Sequence, residues 1–497
     1  MKLKYILTFF LLIISLVAAQ NLTPLQKSDY KKPTSNTELI EYVNSTAKNS
    51  KFVTVDTLAK SAEGRMIPFL KISKKGFGKD KSKLKVLIFA QQHGNEQSGK
   101  EGALLLINEL LKKENQYILD KIDLALVPQM NPDGSEKNQR RNGNNMDLNR
   151  NHLILTEPET IGLHKLFNKY LFEVTMDVHE YSPYGDTYKK YGYRENADEE
   201  VGTTTNINVS EKIRSLSKKE YLPFIKKYFN DRNFSYLEYS PGGPPEIDYI
   251  RYSTFDINDG RQSFGIQNTF SFIQEGLNGE DDFIDNIKHR AEGQMTGMFG
   301  LLEFSYKHKD EIKNLVKIER KKLVASDLSK KVAIQLDHFP DGSKLELPLL
   351  SYYSNKDTIV TVNDYRPVVK SLFDVGRPKG YIIPKKLKEI VEWADKHAIA
   401  YYNYKKSGKD KIEQYYISKI DSIDFERDII INPIVEVKEL PNNFSGNDYI
   451  FIPTMQLRNN LIVIALEPKS ELGLVTYKKF EHLLKKGEPF PILRVVN

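Results

Sequence analysis

A histidine and a glutamate stand three residues apart in "QQHGNE" (Gln91–Glu96), just past an apolar run, "LKVLIFA" (Leu84–Ala90). His179 ends a second such run in "MDVHEYS", and Glu275 ends a third in "FSFIQEG". Two imidazoles and a carboxylate, His93, His179 and Glu96, form a ligand set suited to catalytic zinc, with a coordination position left for water. Zinc draws the pKa of water toward neutrality, and Glu275 is then the general base that takes its proton and passes it on. Taken singly, each piece has an ordinary reading. His-x-x-Glu is frequent in polar loops, a lone His179 is a satisfied structural histidine, and Glu275 is a strand-end surface carboxylate. Their order and shared context join them, because open α/β sheets hold ligands beyond the carboxyl ends of their strands. Charged groups at the end of a buried strand also need a reason, since an unpaired buried charge is costly.

The segment between these ends, "NPDGSEKNQRRNGNNMDLNRNH" (Asn131–His152), is dense in Asn and Arg and has no apolar period. Its ordinary reading is a solvated loop. A pair such as Asn149–Arg150 is nonetheless suited to grip a carboxylate, because guanidinium presents a planar fork of donors. A second arginine, Arg140, is placed to stabilise an oxyanion as charge develops on a carbonyl.

The motifs "HGNE", "NPDG", "DLNRN", "DVHEYS" and "FIQEG", in this order, resemble those of the carboxypeptidase A/B-like zinc metallocarboxypeptidases, in the type secreted by bacteria. The resemblance runs from about Thr37 to His308 and includes the upstream "SAEGRMIPFLKIS". It implies an α/β/α sandwich around a mixed sheet and one Zn2+ per chain. It also implies roles residue by residue. His93, Glu96 and His179 match the zinc ligands, and Glu275 the general base. Asn149 and Arg150 match the pair that binds the terminal carboxylate. Arg140 matches the arginine that polarises the scissile carbonyl, with Arg141 as the alternative. Asp147 matches the aspartate that hydrogen-bonds a zinc-ligating histidine. Asp177, two residues before His179, either serves a ligating histidine or pairs with a backbone amide. For the tyrosine that covers the substrate, Tyr249 and Tyr252 compete. Arg261 either favours an acidic terminal side chain or pairs with Asp256 or Asp259, and "SPGGPPE" reads as a rim loop or a surface turn. The implied substrate is a peptide or peptide-like chain with a free C-terminal carboxylate. An aspartoacylase-like deacylase and a non-catalytic binding module are the competing readings.

The elements that must position these groups follow from pattern. Strand-like runs alternate with helical spacing through the first two thirds, which is the signature of an α/β sheet with helices on both faces. Beyond about Ala325 the character changes to short β-rich runs with one clear helix, "KKLKEIVEWADKHA", and no chemical motif. The expected division is a signal peptide over 1–19, a catalytic domain over 33–325 and a β-rich α+β accessory domain over 326–497. The chain has 497 residues, 40% hydrophobic and 28% charged, with 73 basic and 66 acidic residues and a net charge of +7. Its lysines are dispersed, which argues against nucleic acid as a partner. There is no cysteine, which excludes disulfides, thiolate zinc ligands and a cysteine nucleophile. "MKLKYILTFFLLIISLVAAQ" reads as a secretory leader cut after Ala19, giving a secreted or periplasmic protein without a stable membrane anchor.

Overall fold

The structure, a computed structural model, describes residues 21–281, 283–405, 407, 410–425, 428–441, 443–444 and 447–496. The expected leader lies outside these residues. Among them, no helix is long and apolar enough to cross a membrane.

An eight-stranded mixed sheet forms the first half. Its strands are β1 (Val53–Lys60), β2 (Met66–Ile72), β3 (Leu84–Ala90), β4 (Ile122–Val127), β5 (Val174–Tyr181), β7 (Glu199–Thr203), β8 (Tyr236–Glu238) and β10 (Phe270–Leu277), in spatial order β1-β2-β4-β3-β5-β10-β7-β8. Two short strands, β6 (Tyr193–Glu195) and β9 (Ile250–Arg251), stand outside it. The central strands β4, β3, β5 and β10 run parallel, and β7 returns antiparallel to β10. They are apolar nearly throughout because both faces are covered. Successive side chains alternate between the faces, so Val86, Ile88 and Ala90 join one core while Leu87 and Phe89 join the other.

On the first face lie α1 (Asn36–Asn49), α2 (Gln97–Leu111), α5 (Ile287–Lys307) and α6 (Lys309–Ala325); on the second lies α3 (Pro158–Tyr170). The start of α1 shows how local sequence sets an element. Ser35 and Glu38 form a reciprocal capping box, and Leu39, Tyr42 and Val43 then fall on the buried stripe. A helical stretch over Glu211–Asn230 ends in α4 (Leu222–Asn230). The α/β/α sandwich around a mixed sheet is the expected architecture.

The C-terminal region is β-rich, as expected. After α6 come β11 (Lys331–Phe339), β12 (Leu345–Ser351), β13 (Lys356–Val362), β14 (Tyr365–Arg366), β15 (Val368–Gly376) and β16 (Gly380–Pro384). Helix α7 (Lys388–Lys396), strands β17 (Tyr402–Asn403) to β22 (Tyr449–Pro453), helix α8 (Asn459–Leu466) and β23 (Pro489–Val496) complete it. The segment "NLIVIAL" reads as a strand from its apolar run, yet it is α8, with all eight residues buried. A short apolar run carries no period that separates a strand from a helix buried on every side.

Two pairings tie this region to the sandwich. β12 continues antiparallel into β6, with Leu349 opposite Glu195, and β14 runs parallel to β9. One apolar core is continuous from Leu39 and Val86 to Trp393, Leu461 and Ile492.

Candidate metal centre

The three strand ends bring His93, Glu96 and His179 together. Their ligand atoms lie within 4.8 Å of one another. The loop after β3 turns at Gln91, whose φ is +58°. Gly94 follows because nothing larger fits: a Cβ there would lie 2.1 Å from the Gly134 carbonyl carbon and 2.4 Å from the Ser135 nitrogen. The "NPDG" turn clasps this loop. Asn131 Nδ2 donates to Gln92 O (3.1 Å) and to Arg140 O (3.2 Å), and Gly94 N also donates to Arg140 O (3.2 Å). His93 Nδ1 is 2.6 Å from Glu96 Oε1 and 3.2 Å from His179 Nδ1, while His179 Nδ1 is 2.9 Å from Glu96 Oε2. The three residues are 4%, 5% and 1% exposed. Two imidazole nitrogens facing one carboxylate at these distances match the donor set of a zinc site.

The far nitrogens of both rings are held by carboxylates. His93 Nε2 is 3.1 Å from Asp147 Oδ1, and His179 Nε2 is 2.8 Å from Asp177 Oδ1. Asp177 therefore serves a histidine, and its Oδ2 accepts from Gln92 Nε2 (2.8 Å). Burial opposes charge on Glu96, but His93 and His179 override it and hold the carboxyl well below its usual range. Burial likewise opposes charge on His179, and Asp177 and Glu96 reverse it, raising the imidazole well above its usual range.

Register sets the rest. Across adjacent strands, Glu275 on β10 lies opposite His179 on β5 and opposite Glu200 on β7. Directly opposed residues share a face of the sheet, so His179, Glu275 and Glu200 form a row. Glu275 is 8% exposed and has no hydrogen-bond or ion-pair partner among the described residues. Burial pushes its carboxyl up to about 7, against the pull of His179.

A cavity of about 350 Å³ opens over this row, lined by His93, Glu96, Arg140, Asn149, Arg150 and Glu275 among others. Arg140 faces the triad, with Nη1 3.2 Å from His93 Nδ1 and Nη2 2.9 Å from Asp147 Oδ2. Arg141 turns away and donates to Asn145 O (3.1 Å). Asn149 Oδ1 accepts from Gln92 Nε2 (3.1 Å) and Gly260 N (2.8 Å), and its Nδ2 lies 3.3 Å from His179 Nε2. Arg150 lines the cavity and donates to Asn149 O (2.9 Å). Arg261 also reaches the cavity wall, but Asp259 Oδ2 holds it at 2.9 Å.

Two tyrosines line the cavity, Tyr181 and Tyr239, and neither Tyr249 nor Tyr252 is among its lining residues. Tyr252 is 3% exposed, with its hydroxyl on Thr203 Oγ1 (2.9 Å), and Tyr249 stacks on Arg366 at 3.9 Å. Spacing gave no signal for Tyr239, which follows the short strand β8 and reaches the cavity only through the fold. Ser240, Pro241 and Gly242, the start of "SPGGPPE", do rim the cavity.

Residues 39–242 match the family model described as zinc carboxypeptidase. The chain is 24% identical over 462 residues to carboxypeptidase 2 of Trichophyton tonsurans, covering 88% of this chain and 81% of that protein. It is 27% identical over 232 residues to carboxypeptidase D of Mus musculus, covering 40% of this chain and 17% of that one. Among solved structures, a metallo-carboxypeptidase from Pseudomonas aeruginosa is 20% identical, with a TM-score of 0.43, over 57% of this chain and 71% of that one.

Proposed function

We propose, from the premise that this chain belongs to the zinc carboxypeptidase family, that it is a secreted or periplasmic enzyme removing C-terminal residues from peptides, with one zinc ion held by His93, Glu96 and His179. The observation that carries this reading is the convergence of those three side chains in one cavity with the unpartnered carboxylate of Glu275. Zinc, when bound there, supplies Lewis acidity, lowering the pKa of water and polarising a carbonyl.

The remaining work falls to this chain's residues. The Glu275 carboxylate takes a proton from the attacking water and returns it to the leaving amine; burial that raises its pKa makes it a competent base near neutrality. Arg140 directs its guanidinium beside the triad, where it stabilises the negative charge that develops on the scissile carbonyl oxygen. Arg150 and the Asn149 side-chain amide hold the substrate's terminal carboxylate, which restricts cleavage to a chain end. Asp147 and Asp177 fix the two imidazoles. The leader sequence supports export.

Mass spectrometry of peptides incubated with the purified protein tests the reading. Single C-terminal residues are released, and a zinc chelator stops the release. Glu275→Gln keeps its zinc and loses about 10²–10⁴-fold in kcat. Internal cleavage, or release indifferent to the chelator, would overturn the proposal.

A further inference from the structure

Behind the metal centre runs a chain of buried polar side chains that the proposed chemistry leaves unused. Asp177, whose Oδ1 lies 2.8 Å from His179 Nε2, accepts at Oδ2 from Gln92 Nε2 (2.8 Å). The same nitrogen donates to Asn149 Oδ1 (3.1 Å). On its other side Gln92 Oε1 meets His152 Nε2 at 2.7 Å, and His152 Nδ1 meets His164 Nε2, on α3, at 3.0 Å. Gln92 and His152 are fully buried, and His164 is 2% exposed.

The partners leave each group one orientation. Asn149 Oδ1 also accepts from Gly260 N (2.8 Å), so an oxygen faces Gln92 there, and Asp177 offers carboxylate oxygens. Both neighbours on that side of Gln92 are acceptors, which places its amide nitrogen between them and its oxygen toward His152. That oxygen needs a donor, so His152 carries its proton on Nε2. Its bare Nδ1 then accepts from the Nε2–H of His164. Burial lowers His152 to about 3 and His164 well below the usual imidazole range, so both rings are neutral. Donation therefore runs one way, from His164 through His152 and Gln92 to Asp177 and Asn149. The backbone is cut to fit: a Cβ at Gly260 would lie 2.5 Å from Asp177 Oδ2 and 2.9 Å from Gln92 Nε2.

Gln92 stands at a junction. Its backbone precedes His93, its nitrogen holds the carboxylate behind His179, and the same nitrogen fixes the carbonyl of Asn149. A buried amide whose partners are all present is rigid, and one that loses a partner leaves a costly unpaired group. We propose that Gln92 is a positioning residue for both halves of the site: locked in one orientation by His152, its amide fixes the anchor of His179 and the side chain of Asn149 together, so that zinc affinity and recognition of the substrate's chain end depend on one hydrogen-bonding group. The second half of the inference rests on the carboxypeptidase reading; the first does not.

The test measures zinc affinity by competition with a fluorescent chelator, and KM and kcat at saturating zinc on a peptide with a free C-terminus. Asp177→Asn and Arg150→Gln are the references: the first weakens zinc binding alone, the second raises KM alone. Gln92→Met, similar in length but without donor or acceptor, does both. Zinc affinity falls about 10-fold, the lower end for a group supporting a metal ligand, and KM rises about fivefold, the weight of one hydrogen bond. His152→Phe shifts both quantities in the same directions, because the Gln92 amide is then free to turn over. His152→Gln, which keeps an N–H donor, returns both toward the wild-type values. The His152 pair also covers the case in which Gln92→Met fails to fold. A Gln92→Met protein that melts earlier yet keeps wild-type zinc affinity and KM, a change in only one of the two, or a His152→Gln no better than His152→Phe overturns the proposal. Zinc affinity is read without substrate, so absence of any release from zinc-loaded wild-type protein overturns the carboxypeptidase reading and the chain-end half with it, while the chelator measurement still decides the metal half.

Discussion

The two histidines of the triad are anchored unequally. Asp147 lies toward the surface, its side chain 14% exposed, and divides itself among His93, Arg140 and the Asn149 amide. Asp177 is fully buried and serves His179 and Gln92. A carboxylate behind a ligating imidazole fixes its tautomer and raises its basicity. Asp177→Asn therefore lowers zinc affinity by about 10–100-fold, and by more than Asp147→Asn does. Competition with a fluorescent chelator measures both, and an equal loss would show that burial of the anchor is immaterial. Asp177 also marks how far single residues can be read in advance. Residues two apart on a strand share a face, so its nearness to His179 followed from sequence. Whether it met that ring or a backbone amide did not, because the choice depends on Gln92, which reaches it from another strand end.

At the scale of elements, the site depends on loops that leave no room for error. A methyl group at Gly94 would meet the backbone of Gly134 and Ser135, which belong to the "NPDG" turn and cannot swing aside as a side chain would. Gly94→Ala consequently displaces His93 and Glu96 together. The expected cost is about 1–3 kcal/mol of stability, with zinc content per chain reduced while far-UV circular dichroism is retained; thermal melts and metal analysis check it. The strands that lead to the candidate ligands and the candidate base were legible because "LKVLIFA", "VTMDVHE" and "FSFIQEG" are apolar and bounded by polar ends. Their register was not. The row His179–Glu275–Glu200 arises from pairings across 96 and 75 residues of chain, which no local pattern encodes. Glu200 accordingly carried no signal, although it stands beside the residue proposed as the base.

Across the whole molecule, the C-terminal region behaves as a brace for the cavity. Strand β12 holds β6, which carries Glu195, and β14 holds β9, next to the rim. Helix α7 secures the loop that follows Arg150. Trp393 Nε1 (2.9 Å) and His397 Nε2 (2.7 Å) both donate to Leu153 O, and Lys396 Nζ donates to Leu155 O (2.9 Å). Burial lowers His397 to about 4, so the ring is neutral at physiological pH and its Nε2–H is the donor. Trp393 is 1% exposed and belongs to the core shared by both parts of the chain. Trp393→Ala therefore destabilises the protein by about 3–5 kcal/mol through the lost packing. It also removes one of the two donors that hold Leu153 O, three residues from the guanidinium proposed to hold the substrate's carboxylate. Loosening that loop weakens ground-state and transition-state binding alike, so KM rises while kcat changes little. Denaturant melts and steady-state kinetics on the same preparation separate the effects: a loss of stability with KM unaltered would reduce α7 to a structural support with no hold on the substrate.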